Sequence, residues 1–355
     1  MTPRILIAPR PKKWGGPGIF LSRVAFELER RRYRWTAVPF HYTGISILRW
    51  DHAFMMGCPR YKDVILGSGK PTVTTMGKPE SRAEHSAVGR EYVPAYEKQE
   101  EDMARIIMES GKVVFISNYV KDIWRNIFIS RGLSFPSESC VRVIRHGVDI
   151  NLFFPPHEPP DLPFVLGSVG NLRERFRLAT LFAVSRLLNF DHRILIVGSM
   201  SIECREEFEK GMQDSIISAR VTYVPWVDAE SLPDYYRRIH CLFHPVDYEG
   251  LGIVVAEALA CGVPVVVPAH GAPKEFVLPE GGIAVGTEQF HYNGDFCRRM
   301  ADAVGRIRVN WSIYSRGARR QAEQYIALGN TVDEYLDFMG LPRYADQGDR
   351  RLRKA

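Results

Sequence analysis

Residues 249–257 read Glu-Gly-Leu-Gly-Ile-Val-Val-Ala-Glu and place two carboxylates eight positions apart in an otherwise apolar stretch. The apolar run 241–246 before it predicts a strand, and the stretch itself predicts a helix that ends near Gly262. Glu257 is then a lone carboxylate on a helix that is apolar on nearly all sides, where an unpaired charge is costly. Glu249 lies in the preceding loop, beside the free N–H groups of the helix start, which favour anions and polar ligands. The pair therefore marks a candidate ligand site.

Short apolar runs bounded by glycine and proline alternate with helical periodicity along both halves of the chain. The predicted strands are 5–8, 35–40, 53–56, 72–75, 113–117, 164–169, 194–197, 221–224, 242–246, 263–268 and 283–285. The predicted helices include 19–31, 95–109, 178–188, 231–239 and 296–307. This alternation is typical of parallel sheets covered on both faces. Two such series predict an α/β chain with two doubly wound, Rossmann-like domains.

The boundary between the two series is predicted at 154–163, a stretch with five prolines that forms a stiff connector. We therefore expect an N-terminal domain over 1–155 and a C-terminal domain over 156–311. The ligand is expected in a cleft across which the two domains face each other. The helical stretch 312–340 fits neither sheet pattern and is expected to cross back to the N-terminal domain, before a basic tail over 341–355.

Composition and charge limit the class of protein and its partners. The six cysteines of this 355-residue chain are scattered without a CxxC pair, so neither a metal site nor a disulfide framework is predicted. The first apolar run is too short for a signal peptide, and no transmembrane segment is predicted, so we expect a cytoplasmic protein. The net charge of +6 favours anionic partners, namely nucleotide phosphates, nucleic acid or an acidic membrane surface.

Two glycine turns carry candidate phosphate contacts. Gly15, Gly16 and Gly18 follow the first strand and open a helix predicted to begin near Ile19, so the backbone there can approach a phosphate or sugar closely. The pattern is not GxGxxG, so no dinucleotide site is predicted, and a plain structural turn is the alternative.

The second turn, at Gly170, is followed by three alternating arginines, Arg173, Arg175 and Arg177. Guanidinium groups pair bidentately with phosphate, so they form a candidate diphosphate clamp, with a basic surface loop as the alternative.

Three further residues are candidates for ligand contacts. Trp226 and Val227 end a strand of the second half and are candidates for the wall of a base pocket, with ordinary packing as the alternative. His146, in Arg145-His146-Gly147-Val148-Asp149, is a candidate proton donor or ligand contact. A structural histidine in a turn is the alternative reading of that position.

Together these residues resemble the large retaining glycosyltransferase family 4, whose members have the two-domain GT-B fold. Its signature is a Glu, seven residues and a second Glu, matched here by Glu249 and Glu257 and followed by Ala-Cys-Gly-Val-Pro-Val-Val. The glycine loop at 15–16 and the segments 117–118 and 146–149 match other recurring parts of the family.

The resemblance implies a role for each matched position. Glu257 is expected to hold the ribose hydroxyls of a nucleotide sugar, and Glu249 to contact the donor sugar near the reacting carbon. The backbone amides of Gly250, Leu251 and Gly252 are expected to meet sugar hydroxyls and phosphate. The glycine loop of the first half corresponds to the family's loop near the diphosphate and the acceptor.

Two positions depart from the family pattern. Asn171 stands where the family has Arg, so Arg173 is the candidate replacement charge, and the later arginines lie near the position of a family Lys. Thr75-Met76-Gly77 stands where many relatives carry a catalytic-region His, and His85 in the next segment is the candidate substitute.

The resemblance thus implies a metal-independent transferase that moves a sugar from a nucleoside diphosphate sugar to an acceptor with retention, and needs no further cofactor. The expected acceptor is a glycan or a lipid-linked saccharide, with a modified nucleic-acid base as an alternative. The expected location is the cytoplasm, with peripheral contact at the inner face of the membrane. A GT-B epimerase acting on the nucleotide sugar and a non-catalytic sugar-nucleotide binding module are the rival functions.

Overall fold

The computed structural model divides the chain into two compact units, described separately here. The first unit comprises 1–147 with 328–355, and the second comprises 148–327. The residues that the structure describes are 3–9, 16–37, 50–57, 59, 62–79, 94–158, 160, 163–173, 176–286 and 293–343. Within them each unit holds one six-stranded parallel sheet flanked by helices. The predicted class, α/β with two doubly wound domains, is confirmed.

The first unit is built on a sheet of strand order β2-β1-β3-β4-β5-β6. Its strands are β1 (Arg4–Ala8), β2 (Arg34–Ala37), β3 (His52–Met56), β4 (Thr72–Met76), β5 (Lys112–Phe115) and β6 (Val141–Val143). Its helices are α1 (Gly16–Arg30), α2 (Lys62–Leu66), α3 (Pro94–Glu109), α4 (Asn118–Ser130) and the late α12 (Leu328–Met339). The apolar runs of β1 and β5 are buried because helices cover both faces of the sheet.

The second unit is built on a sheet of order β12-β11-β10-β7-β8-β9. Its strands are β7 (Phe164–Val169), β8 (His192–Val197), β9 (Val221–Val224), β10 (Cys241–Phe243), β11 (Val265–Pro268) and β12 (Gly282–Val285). Its helices are α5 (Leu178–Leu187), α6 (Ile202–Met212), α7 (Ser215–Ser218), α8 (Leu232–Tyr236), α9 (Ile253–Ala260), α10 (Gly294–Val309) and α11 (Trp311–Gln321). Chain order runs from β7 outward to β9 on one side of the sheet and from β10 outward to β12 on the other. The strand order therefore reverses between β7 and β10, where ligands of such sheets bind.

The division between the units differs from the expected boundary at 155/156. The chain passes between them at 147/148 and again at 327/328, so the proline-rich stretch 154–163 lies inside the second unit. The predicted helical stretch 312–340 is not continuous, because a π-helical turn over Ala322–Ile326 and the extended Ala327 separate α11 from α12. Consequently α11 belongs to the second unit and α12 to the first.

Polar contacts fix α12 to the first unit. Arg31, at the end of α1, forms an ion pair with Asp333 and donates a hydrogen bond to the carbonyl of Gly329 at 2.9 Å. The hydroxyls of Tyr335 and Thr75 share a buried hydrogen bond of 2.9 Å. Tyr335 also packs edge-on against Phe54 of β3. The last described helix is therefore part of the core of the first unit.

No helix in the described ranges is both long enough and apolar enough to cross a membrane.

Removing the buried hydroxyl of Tyr335 tests this attachment. We expect Tyr335→Phe to lower the melting temperature by about 2–4 °C, because Thr75 loses a hydrogen bond contributing about 1 kcal/mol. Tyr325→Phe is the matched control, since Tyr325 is an exposed tyrosine of the preceding π-helical turn. Equal melting temperatures for the two variants would contradict the assignment.

Candidate functional site

The loop between β10 and α9 holds the candidate acid Glu249 in a constrained backbone. Tyr248 has a φ of 55°, a left-handed conformation that is costly for a bulky side chain and persists only where surrounding contacts impose it. Gly252, with a φ of 83°, ends the loop and starts the helix, and a Cβ there would come within 3.1 Å of Pro273. The helix ends at Ala260, so the predicted end near Gly262 is confirmed within two residues.

The loop after β11 holds the backbone of Glu249 in place. Ala272 donates a 2.8 Å hydrogen bond from its N–H to the carbonyl of Glu249. The neighbouring Gly271 has a φ of 67°, and a Cβ there would lie 2.8 Å from the same carbonyl oxygen, so only glycine permits this approach. The Glu249 side chain is 27% exposed, and its Oε1 accepts a 3.3 Å hydrogen bond from the N–H of Leu251. The partly exposed carboxylate of Glu249 is thereby fixed at the start of α9.

A recess of about 120 Å³ opens beside this carboxylate at the carboxyl ends of β7 and β10. The residues lining it are Val169, Gly170, Asn171, Leu172, Arg173, Phe176, His244, Val246, Glu249, Gly252, Ile253 and Val254. Of the predicted donor-site residues, Arg173, Glu249 and Gly252 meet here. The recess lies at the point where the sheet changes direction, which is the expected ligand position for this fold.

The predicted arginine clamp separates into different environments. Arg173 is exposed and lines the recess. Arg177 instead donates a 2.6 Å hydrogen bond from Nε to Oδ2 of Asp247, a side chain with 0% exposure. Arg175 lies outside the described residues. Of the two described arginines, Arg173 lines the recess, while Arg177 neutralises a buried carboxylate. A phosphate contact by Arg173 stays a prediction.

Asp247 has a second basic neighbour. The Nε2 of His270 lies 3.6 Å from its Oδ1. Burial is the main influence on His270 and lowers the pKa of its imidazole, while the charge of Asp247 acts in the opposite direction. Asp247 therefore sits between one guanidinium and one imidazole.

The predicted nucleoside residues do not line the recess. Glu257 is buried, as its apolar surroundings predicted, and its Oε2 accepts a 3.1 Å hydrogen bond from the hydroxyl of Tyr236. Val227 packs against the core of the second unit, whereas Trp226 is 70% exposed. An indole this exposed is not part of the core of the second unit.

His146 lies in the first unit and is unsuited to proton donation near neutral pH. Its ring stacks on Phe20 of α1, with centroids 3.7 Å apart and planes at 9°. Burial lowers the pKa of the imidazole from 6.5 to about 3, so the ring is neutral at physiological pH. Its Nε2 has no hydrogen-bond partner among the described residues. This environment favours the structural alternative for His146 over the proton donor.

The remaining predicted residues lie at the edge of the described ranges. Helix α1 begins at Gly16, earlier than the predicted start at Ile19, so Gly16 and Gly18 belong to its first turn rather than to a preceding loop. Gly15 and His85 lie outside the described residues.

Sequence reasoning missed three residues of this region, Asp247, His244 and Tyr236. An available signal for Asp247 was an acid two positions before Glu249, and for His244 a histidine at the end of an apolar strand. Nothing in the sequence pairs Tyr236 with Glu257, because the two lie 21 residues apart and meet only through the packing of α8 against α9.

The two described arginines should respond differently to replacement. Arg177→Ala is expected to lower the stability of the second unit by about 2 kcal/mol, because Asp247 loses its closest cation. Arg173→Ala is expected to leave the melting temperature unchanged and to weaken nucleotide-sugar binding about tenfold. Calorimetry of both variants with and without ligand checks this, and the reverse pattern would contradict the assignment.

The buried His146 ring predicts a pH-dependent stability. The pKa of His146 is lower in the folded chain than in the unfolded one. The contribution of the neutral, buried ring to the free energy of unfolding is therefore complete above pH 6.5 and is lost as the pH falls toward 3. The loss approaches about 1.4 kcal/mol per pH unit in that window. The stability difference between wild type and His146→Leu should therefore shift toward the variant between pH 7.5 and 5, and a constant difference would refute this.

Sequence comparison identifies a family match within the second unit and several relatives of the chain. A model of the family described as glycosyl transferases group 1 matches residues 149–289. D-inositol 3-phosphate glycosyltransferase of Mycobacteroides abscessus is 33% identical over 154 residues, which are 42% of this chain and 33% of that protein. A GDP-mannose-dependent alpha-(1-6)-phosphatidylinositol monomannoside mannosyltransferase of Mycolicibacterium smegmatis is 26% identical over 61% of this chain and 63% of its own. The matches to this chain thus span between a third and two thirds of these two relatives.

Solved structures share the fold over nearly the whole chain. Sucrose-phosphate synthase of Thermosynechococcus elongatus has a TM-score of 0.70 at 17% identity, covering 95% of this chain and 98% of its own. HepE of Anabaena, solved in complex with UDP and glucose, has a TM-score of 0.68 at 16% identity, covering 95% and 99%. At such low identities the likeness concerns the fold alone, and the predicted GT-B class is confirmed. The match to the glycosyl transferases group 1 is confined to residues 149–289, which lie within the second unit.

Proposed function

We propose that this chain transfers a sugar from a nucleoside diphosphate sugar to a hydroxyl-bearing acceptor, with retention at the anomeric carbon. The observation that carries the proposal is the half-open Glu249 carboxylate, fixed at the start of α9 beside a recess that Arg173 also lines. The Glu249 carboxylate is suited to stabilise a developing positive charge, and the Arg173 guanidinium is suited to stabilise a leaving phosphate. The match of this region to the group 1 family supports the same assignment.

The proposed chemistry requires opposite charges to be stabilised a short distance apart. Departure of the diphosphate leaves an oxocarbenium-like sugar carbon, which the Glu249 carboxylate stabilises. Arg173 and the N–H groups at the start of α9 stabilise the charge on the leaving phosphate. The proposal assigns both charges to groups of the protein, so metal independence is part of it. Glu257 is proposed to bind the ribose of the donor.

The acceptor is proposed to be a glycan or a lipid-linked saccharide. The relatives named for inositol 3-phosphate and phosphatidylinositol monomannoside support an acceptor that combines hydroxyl groups with an anionic group. The net charge of +6 is consistent with an anionic acceptor or a peripheral membrane surface. A modified nucleic-acid base remains the alternative, and salt-sensitive binding of DNA or RNA would favour it.

The decisive test compares sugar transfer by wild type and Glu249→Gln. We expect the variant to lose at least 100-fold in kcat and to bind the nucleoside diphosphate with unchanged affinity, because it loses a charge needed in the transition state only. Glu209→Gln is the matched control, since Glu209 is an exposed acid of α6 in the same unit. Equal turnover by wild type and Glu249→Gln would refute the catalytic proposal.

Further readouts separate the rival functions. A thermal-shift panel of UDP, GDP, ADP and their sugars identifies the donor, because a ligand raises the melting temperature of the protein that binds it. Donor conversion without any acceptor indicates an epimerase, whereas donor binding without turnover indicates a binding module. Proton NMR of the first product reads the anomeric configuration. Turnover that disappears in a chelator and returns with a divalent cation would refute metal independence.

A further inference from the structure

His244 is a buried imidazole whose hydrogen bonds are incomplete. It follows the last residue of β10 and is 5% exposed. Neither Nδ1 nor Nε2 has a hydrogen-bond partner among the described residues. Buried polar groups in folded proteins are nearly always paired, because an unpaired one is destabilising. A histidine kept in such a place needs a physical reason.

The surroundings of His244 point to the recess. The residue lines the recess, and its ring meets that of Phe176 edge-on with centroids 6.0 Å apart. The Oε2 of Glu249 lies 3.9 Å from its Nε2, one short displacement beyond hydrogen-bond range. The other acid of the loop, Asp247, is already engaged by Arg177 and His270. Glu249 is therefore the acid of this loop with which His244 can form a hydrogen bond.

The proximity of Glu249 determines which hydrogen bonds the ring can complete. A carboxylate accepts and does not donate, so the nitrogen that faces it must carry the proton. In the neutral ring that nitrogen is Nε2, which leaves Nδ1 as an acceptor. An acceptor pairs with a hydroxyl group and not with an ionised phosphate oxygen, which has no proton to donate. The chemistry of this position thus fits a sugar hydroxyl.

We propose that His244 joins Glu249 to the transferred sugar, with Nε2–H donating to Oε2 of Glu249 and Nδ1 accepting a hydrogen bond from a sugar hydroxyl. The inference rests on the function proposed above and extends it by a specificity-determining residue. Binding of the donor would draw the ring and the carboxylate together across their present 3.9 Å separation. His244 is then both a positioning residue for Glu249 and a sensor of the sugar.

Three substitutions separate the two halves of the proposal. His244→Phe removes both nitrogens and keeps a ring of similar shape. His244→Asn retains an amide near the position of Nδ1, and His244→Gln retains one near the position of Nε2. For each variant, the measurements are the dissociation constants of UDP and UDP-glucose, those of GDP and GDP-mannose, kcat and the melting temperature. The pair that wild type binds more tightly is used for comparison.

The expected pattern differs from that of a merely structural residue. His244→Phe should bind the nucleoside diphosphate as wild type does and bind its sugar about tenfold more weakly, because only the sugar carries the hydroxyl. His244→Asn should retain sugar affinity and lose about tenfold in kcat, whereas His244→Gln should retain more of kcat and lose sugar affinity. Both amide variants keep a polar side chain, so they test the proposal even if the Phe variant fails to fold.

Two outcomes would overturn the inference, and they are distinguishable. If wild type binds the nucleotide sugar but all three variants keep its affinity ratio and kcat, His244 does not touch the sugar and the proposed function stands. A wild type that binds none of UDP, GDP, ADP and their sugars overturns the proposed function together with this inference.

Discussion

The pairing of Asp247 with Arg177 is the interaction on which the arrangement of the site depends. A carboxylate with 0% exposure is costly unless it is compensated, and the guanidinium at 2.6 Å provides that compensation. Arg177 lies at the start of α5, while Asp247 lies in the loop that carries Glu249. The N–H of Arg177 also donates to the carbonyl of Pro245, which adds a backbone link between the same two segments. Loops that follow β7 and β10 are thus joined around the recess.

That pairing explains why charge alone is a poor guide to a phosphate clamp. In the sequence, Arg173 and Arg177 belong to one basic pattern, and either has the chemistry to bind a diphosphate. Their environments differ because Arg177 pairs with the buried Asp247, which lies in a loop 70 residues further along the chain. Arg173 instead lines the recess. The same limit applies to Glu257, whose burial follows from its apolar helix but whose partner Tyr236 does not. Local pattern predicts the environment of a side chain better than it predicts its partner.

The fold was more accessible to sequence reasoning than the site. Apolar runs between glycines and prolines predicted most strands of both sheets, since a strand covered on both faces must be apolar throughout. Helix α4 was missed, although Ser117 caps it by accepting a 3.1 Å hydrogen bond from the N–H of Val120. Periodicity does not show where the helices of 312–340 divide between the two units, because it indicates an apolar face and not the sheet against which that face packs.

The two chain passages between the units have a consequence for the order of folding during synthesis. Val148 donates a 2.8 Å hydrogen bond to the carbonyl of Ile326, so the second unit begins and ends at neighbouring points. It is an insertion within the first unit, whose core requires α12, encoded after the insertion. The ribosome therefore releases every residue of the second unit before it completes the first. The apolar face of the N-terminal sheet that packs against α12 therefore stays partly uncovered until α12 has been synthesised.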